Sequence, residues 1–388
     1  MVRTIGFISI VLLLAVCSWG QTAKQLVTKA KKTVQVQERM TLLNQAILLD
    51  PEYADAYHHR ADVHLGMGHP EQAISDYTHA VMLRPQDPFR YYARALAYLE
   101  VKKNTAAIAD LTQAISLKPS YRNFYLARAR AYMKAEKYDL ARLDFVKYRR
   151  MGEIPAHIGG EMLPAYVLSY HYEEAEELAQ QALEQGEDST LLHYWLGRAL
   201  LGKGDLDEAV SHFSKAIRRD ETYAPAYRYR ANAFKEMGEL EACIDDYTQL
   251  LSLQPEAIFY NRRGLIYEEL GNYENALADY TKAIEMTPKW SIPYNNRGYL
   301  QMQQKNWAAA KKDLEAAISL DGSVPTPYVN LAGVYWMWKK DRKRAYQNLD
   351  KAVRRNFQDF SSLYNDAQKG WMFQGLNHTS EFRALTYK

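Results

Sequence analysis

Cysteine is nearly absent: the 388 residues hold two, Cys17 and Cys243. One widely separated pair is not the framework by which small exported domains staple a meagre core, so stability must come from packing. Cys243 stands where other segments carry alanine and reads as a small buried apolar residue. A dominant charge sign is missing too, with 49 Lys and Arg against 46 Asp and Glu and a formal net charge of +3. The two signs are interspersed, which excludes the concentrated basic footprint of a nucleic-acid binder. One local excess runs through Lys339, Lys340, Arg342, Lys343 and Arg344 and resumes at Lys351, Arg354 and Arg355. It reads as a solvated surface, with contact to anionic lipid headgroups or an acidic partner as the alternative.

Catalytic patterns are lacking as well. There is no G-x-S-x-G elbow, H-E-x-x-H pair, phosphate loop or dinucleotide fingerprint, so neither an enzyme nor a cofactor is expected. The densest histidine group is His58, His59, His64, His69 and His79. His58 and His59 are adjacent, which directs them to different sides of a helix, and His64 follows His59 by five, so no metal site is expected. Long apolar runs are confined to residues 5–16, after Arg3 and before Cys17, Ser18, Trp19 and Gly20. That run is short for a membrane span and has the layout of a secretory leader cleaved after Gly20. The alternative is a lipoprotein signal with Leu14-Ala15-Val16-Cys17 as its acylation box and Cys17 as the lipid-bearing residue.

What is present is a period. Pro51, Pro85 and Pro119 fall thirty-four residues apart, each five residues after an alanine, Ala46, Ala80 or Ala114. A repeat of that length marks a solenoid of helix pairs, each too small to bury its apolar face alone. Along the chain an early aromatic recurs at Tyr57, Tyr91, Tyr125, Tyr227, Tyr260, Tyr294 and Tyr328. Four positions later comes a small residue, Ala61, Ala95, Ala129, Ala231, Gly264, Gly298 or Ala332, which lets a second helix approach closely. That second helix carries Ala73, Tyr77 and Ala80 and their counterparts, such as Ala276, Tyr280 and Ala283. Most of the 30 tyrosines therefore read as interlocking core. Gly68, Gly204, Gly238 and Gly271 stand between the helices, where a left-handed C-cap is expected.

This pattern resembles the tetratricopeptide repeat. One segment shows it whole: Tyr260-Asn261-Arg262-Arg263-Gly264-Leu265-Ile266-Tyr267, then Gly271-Asn272-Tyr273, Ala276, Tyr280, Ala283 and Pro288. The resemblance implies an all-α, right-handed superhelical solenoid of about ten helix-turn-helix units with a C-terminal helical cap. The expected division is a leader over 1–20, N-terminal units over 21–150, a divergent unit with a kink over 151–187, further units over 188–355 and the cap over 356–388. The Gly- and Pro-rich stretch from Met151 to Gly160 is expected to distort the first helix of its unit. In the last unit Ala345, Leu349 and Ala352 sit one position late, so an extra residue must be absorbed between Trp336 and Asp341. Trp371, Phe373 and Phe382 are expected to cover the final apolar face. Asn377-His378-Thr379 is a glycosylation sequon, meaningful in a eukaryotic host.

The resemblance also implies a concave groove lined by the first helix of each unit. Projected onto it, Phe89, Tyr92, Leu96, Leu99, Leu126 and Met133 make an apolar end. Arg130, Arg198, Arg228, Asn232 and Lys235 make a cationic middle, with Asn261, Asn295, Tyr299 and Met302 beyond. Such a surface suits an extended peptide or amphipathic helix with acidic groups. The carboxylate clamp of chaperone-binding members is not matched: Arg262 takes the place of its asparagine, and Ile292 and Asn296 the places of its last cations. The expected function is a non-enzymatic interaction scaffold, exported to the periplasm or outer-membrane periphery of a Gram-negative bacterium. A lipoprotein scaffold of a secretion or exopolysaccharide apparatus and a holdase for exported clients are the alternatives. Without a span in the mature chain, membrane association would come only through lipidation or the basic stretch 339–355.

Overall fold

The computed structural model describes residues 22–358 together with Phe373, Thr379, Ser380, Phe382 and Ala384. The leader, Cys17, Trp371, Asn377 and His378 lie outside the described residues. Among the described residues twenty helices follow one another as ten pairs. The first five pairs are α1 (Ala23–Lys32) with α2 (Val36–Leu49), α3 (Ala54–Gly66) with α4 (Pro70–Leu83), α5 (Pro88–Glu100) with α6 (Asn104–Leu117), α7 (Arg122–Lys134) with α8 (Tyr138–Arg150), and α9 (Ala156–Leu168) with α10 (Tyr172–Glu184). The remaining five are α11 (Thr190–Lys203) with α12 (Leu206–Arg219), α13 (Ala224–Met237) with α14 (Leu240–Leu253), α15 (Ala257–Glu269) with α16 (Tyr273–Met286), α17 (Ser291–Gln303) with α18 (Trp307–Leu320), and α19 (Thr326–Met337) with α20 (Arg342–Val353). The chain divides between Asp188 and Ser189 into two compact units of five pairs each. Within each unit a second helix packs on the first helix of its own pair and on that of the next. No helix among the described residues is long and apolar enough to cross a membrane.

The turn inside eight of the pairs is the same device repeated. The amide of the residue before the second helix donates to a carbonyl five positions back, as in His69 to His64, Lys103 to Tyr98 and Asn306 to Gln301. Closing that ring requires a residue in the left-handed region: Gly68, Gly204, Gly238 and Gly271 supply it at low cost. Lys102, Glu136, Tyr170 and Lys305 adopt it without that advantage. In the last pair the corresponding bond runs from Asp341 to Tyr335, six positions back, so the extra residue is absorbed where the sequence requires it. The small position of the first helix works through close approach, since a Cβ on Gly264 would lie 2.8 Å from the Tyr280 ring.

A second repeated device is electrostatic. In six pairs an arginine one residue before the small position grips a buried aspartate sixteen residues on, in a two-pronged ion pair: Arg60–Asp76, Arg94–Asp110, Arg128–Asp144, Arg230–Asp246, Arg263–Asp279 and Arg297–Asp313. The free prong of each guanidinium reaches back to the preceding pair, to Asn44, Thr78, Thr112, Ser214, Thr248 or Thr281. Aromatic rings of the first helix lie beside these guanidiniums; Arg94, for instance, lies near Tyr91 and Tyr98, each ring centre 5.8 Å away, and Arg128 near Tyr132. Planar delocalised cations suit such a site because they hydrogen-bond in plane and stack out of plane.

The Gly- and Pro-rich stretch does not interrupt the helix it enters. α9 runs a full thirteen residues, with Pro164 inside it. The glycines serve close approach instead: a Cβ on Gly159 would meet Ala182 at 3.3 Å, and the Gly160 amide donates to Glu187 at 3.3 Å. At the other end Phe373 and Phe382 are buried in the cluster that contains Ala345, Leu349 and Ala352, with Trp336 packed against it. Cys243 is fully buried, and burial pushes its thiol up to about 12, which removes it as a nucleophile.

Candidate functional site

Along the first helices, positions 34 apart repeat the same outward-facing places, so each candidate can be located by its pair. In the N-terminal unit Tyr92, Leu96, Leu99, Asn123, Leu126, Ala127 and Arg130 line one pocket of about 160 Å³ between α5 and α7. Phe89 lies outside that lining, in an aromatic cluster with Tyr121 and Phe124 at 5.1 and 5.6 Å, and Lys118 sits over its ring. Tyr92 also meets Phe124, and burial holds its hydroxyl above the ordinary range. Arg130 closes the pocket but is already engaged: Glu161 on α9 takes it in a two-pronged ion pair, at 2.7 Å on the second prong. Its charge is spent inside the protein.

The larger cavity of this unit, about 540 Å³, lies at the loop ends around Arg90. Arg90 within it is already engaged, 2.6 Å from Asp55 and 3.2 Å from Asp87, while Arg84 lines it as an exposed cation.

In the C-terminal unit the cations are placed differently. Arg198 on α11 lies over Trp195 at 4.9 Å and over Tyr229 at 4.4 Å, and Arg228 on α13 lies over the same Tyr229 ring at 4.8 Å. Tyr229 is thus a shared aromatic plate for two guanidiniums. Tyr194 stands beside Arg198, and burial, more than that neighbour can offset, keeps its hydroxyl above the ordinary range. Arg228 has no carboxylate partner among the described residues. Lys235, about two turns along α13, is exposed, and Asn232 between them is half-buried, with only a long contact of 3.5 Å from the Tyr247 hydroxyl. Sequence projection named the arginines but missed Trp195 and Tyr229, although the i, i+3 spacing of Trp195 and Arg198 was a usable signal.

Further along, the amides bond to one another. Asn296 donates to Asn261 and Asn330 donates to Asn295, both at 3.0 Å, while Asn295 donates to Asn296 at 3.4 Å. Asn261 is buried, so its amide is committed to holding α15 to α17. Tyr299 and Asn295 do open on space: they line a pocket of about 200 Å³ with Leu265, Glu268, Asn296, Thr326, Val329, Asn330 and Phe357.

The histidines need correction. His58 and His59 do not part to different sides; their rings meet at 5.2 Å and both face Asp62, His59 Nδ1 at 2.9 Å and His58 Nε2 at 3.9 Å. Adjacent side chains leave a helix about 100° apart, but an imidazole is long enough to swing back toward a shared carboxylate. Burial holds the His58 ring below its ordinary pKa, against the pull of Asp62.

Profiles described as tetratricopeptide repeat match residues 54–87, 92–151, 169–224, 257–289 and 293–323, more than half of the chain. No curated protein matches the sequence. Among solved structures, similar chains include MamA, at 18% identity and a TM-score of 0.39 over 42% of this chain and 94% of that one. Another is YrrB, titled a TPR protein with an unusual peptide-binding site, at 23% identity and a TM-score of 0.41 over 47% of this chain and 94% of that one. A fragment of MamA from Desulfovibrio magneticus RS-1 aligns at 17% identity and a TM-score of 0.41, over 45% of this chain and 99% of its own.

Proposed function

This chain belongs to the tetratricopeptide repeat family, a family of protein-interaction scaffolds, and from that premise we propose that it holds an acidic extended segment or amphipathic helix of a partner protein across α11 and α13. The carrying observation is the pair Arg198 and Arg228 on their shared Tyr229 plate, with Arg228 lacking any carboxylate within the described residues. A guanidinium held over an aromatic ring has lost side-chain freedom in advance, so a carboxylate meets a prepared donor group. Asn232 beside them offers an amide for the partner's backbone, and Lys235 adds an exposed cation.

The short apolar run after Arg3 supports export through a cleaved leader, and the scaffold would then act at the cell envelope. Incorporation of labelled palmitate at Cys17 would replace that reading with a lipid-anchored one.

The test is a crosslinking pull-down with the tagged chain, comparing the parent with the double variant Arg198→Glu and Arg228→Glu. One or two stoichiometric partners should be captured, and their purified acidic segments should bind the variant at least about tenfold more weakly, a loss of about 1.4 kcal/mol. Unchanged affinity would overturn the reading. Equal suppression of aggregation for unrelated unfolded clients would indicate a holdase instead.

A further inference from the structure

We infer that His58, His59 and Asp62 form a binding site for one divalent transition-metal ion of the zinc type on the outward face of α3. The donor atoms of the three residues all lie within 4.8 Å of one another. Ligands around a tetrahedral zinc ion stand roughly 3.3 Å apart, so small side-chain rotations close the set. Two imidazoles and one carboxylate are the donor chemistry that zinc and its neighbours prefer over calcium or magnesium.

Two further observations separate this cluster from ordinary helix-surface polarity. Asp62 is held from behind: the Tyr77 hydroxyl on α4 donates to its Oδ1 at 2.6 Å, the outer-shell support that fixes a ligating carboxylate. His58 is also poorly provided for without an ion, since its Nδ1 is buried with no hydrogen-bond partner and its Nε2 stands 3.9 Å from Asp62, beyond hydrogen-bond reach. The cluster is not a demand of the repeat, because one period later the same three positions hold Tyr92, Ala93 and Leu96. The nearby cation Arg90 is itself paired with Asp55 and Asp87. With the side chains of His58 and His59 each 22% exposed and that of Asp62 39%, an ion can enter, and the coordination position left by three protein ligands stays open to water or a partner's donor group.

The experiment is equilibrium dialysis of the purified chain against Zn²⁺, with Co²⁺ absorption as a readout of coordination. The parent should bind one equivalent through this site and give the intense visible bands of low-coordinate cobalt. His59→Gln and Asp62→Asn should each weaken binding at least about tenfold, and Tyr77→Phe, which removes no ligand, should weaken it by about tenfold through the outer shell. The double variant His64→Gln and His69→Gln should bind as the parent does. Absence of binding by the parent, or parental affinity in both His59→Gln and Asp62→Asn with unchanged circular dichroism, overturns the assignment, as does loss confined to the His64 and His69 variant.

Discussion

Two kinds of repeat occupy the same chain. In six pairs an arginine and an aspartate face each other across the pair and the arginine reaches back to its predecessor. In α9 with α10 the same two places are filled by Met162 and Leu178, both buried, and in α11 with α12 by Leu196 and His212. His212 has its own partner, since its Nδ1 lies 3.0 Å from that of His193. The fold therefore does not require charge at this place. It requires that the space be filled and every buried polar atom be met, and an oil-like pair satisfies that as well as an ion pair does.

The largest test of this comparison moves one solution into the other's place. Asp110→Leu alone strands the Arg94 guanidinium in a half-buried site and should cost about 3–5 kcal/mol, read from urea unfolding followed by circular dichroism. Adding Arg94→Met, which copies Met162 and Leu178, should recover most of that loss. A double variant as unstable as the single one would break the comparison and show that the charge itself is indispensable.

A smaller effect sharpens it from the opposite side, because the turn is common to both kinds of repeat. Lys102 in a charged pair and Tyr170 in the apolar one both carry positive φ, 57° and 62°. Lys102→Gly and Tyr170→Gly should each raise the urea midpoint, by about 0.5–1 kcal/mol in stability, and by similar amounts. Unequal gains would show that the turns are not equivalent after all.

The least effect is expected from pH. Burial, then Lys215 and Arg218, hold His193 below its ordinary pKa of 6.5. The unfolded chain takes up that proton first, so the stabilisation is complete above the unfolded value and declines as pH falls below it. Thermal unfolding of the C-terminal unit should shift downward from pH 7 to 5.5, and less so in His193→Asn. An identical shift in the variant would remove His193 as the cause.

Much of this architecture is legible in the residues. The 34-residue period, the small positions and even the displaced Ala345 and Leu349 announce the pairing, because each reflects local geometry repeated many times. The arginine–aspartate spacing of sixteen was equally present, but among interspersed charges of both signs it looks like ordinary surface. Candidate site residues were partly legible. Tyr92, Leu96 and Arg130 share a pocket as their helical positions suggest. That Glu161 neutralises Arg130 was not foreseeable, since the partner comes from a non-periodic stretch, and neither was the convergence of His58 and His59, which depends on side-chain reach.

The back-reaching guanidinium has a meaning for synthesis from the N-terminus. Each arginine emerges when the hydroxyl or amide it will use has already been made, while its aspartate is still sixteen residues away. For about sixteen residues in each charged pair the growing chain therefore carries a cation that is anchored behind and unanswered ahead. The interruption at Met162 and Leu196 relieves that debt midway, so a nascent chain paused there would hold a finished N-terminal array with no arginine waiting for its anion.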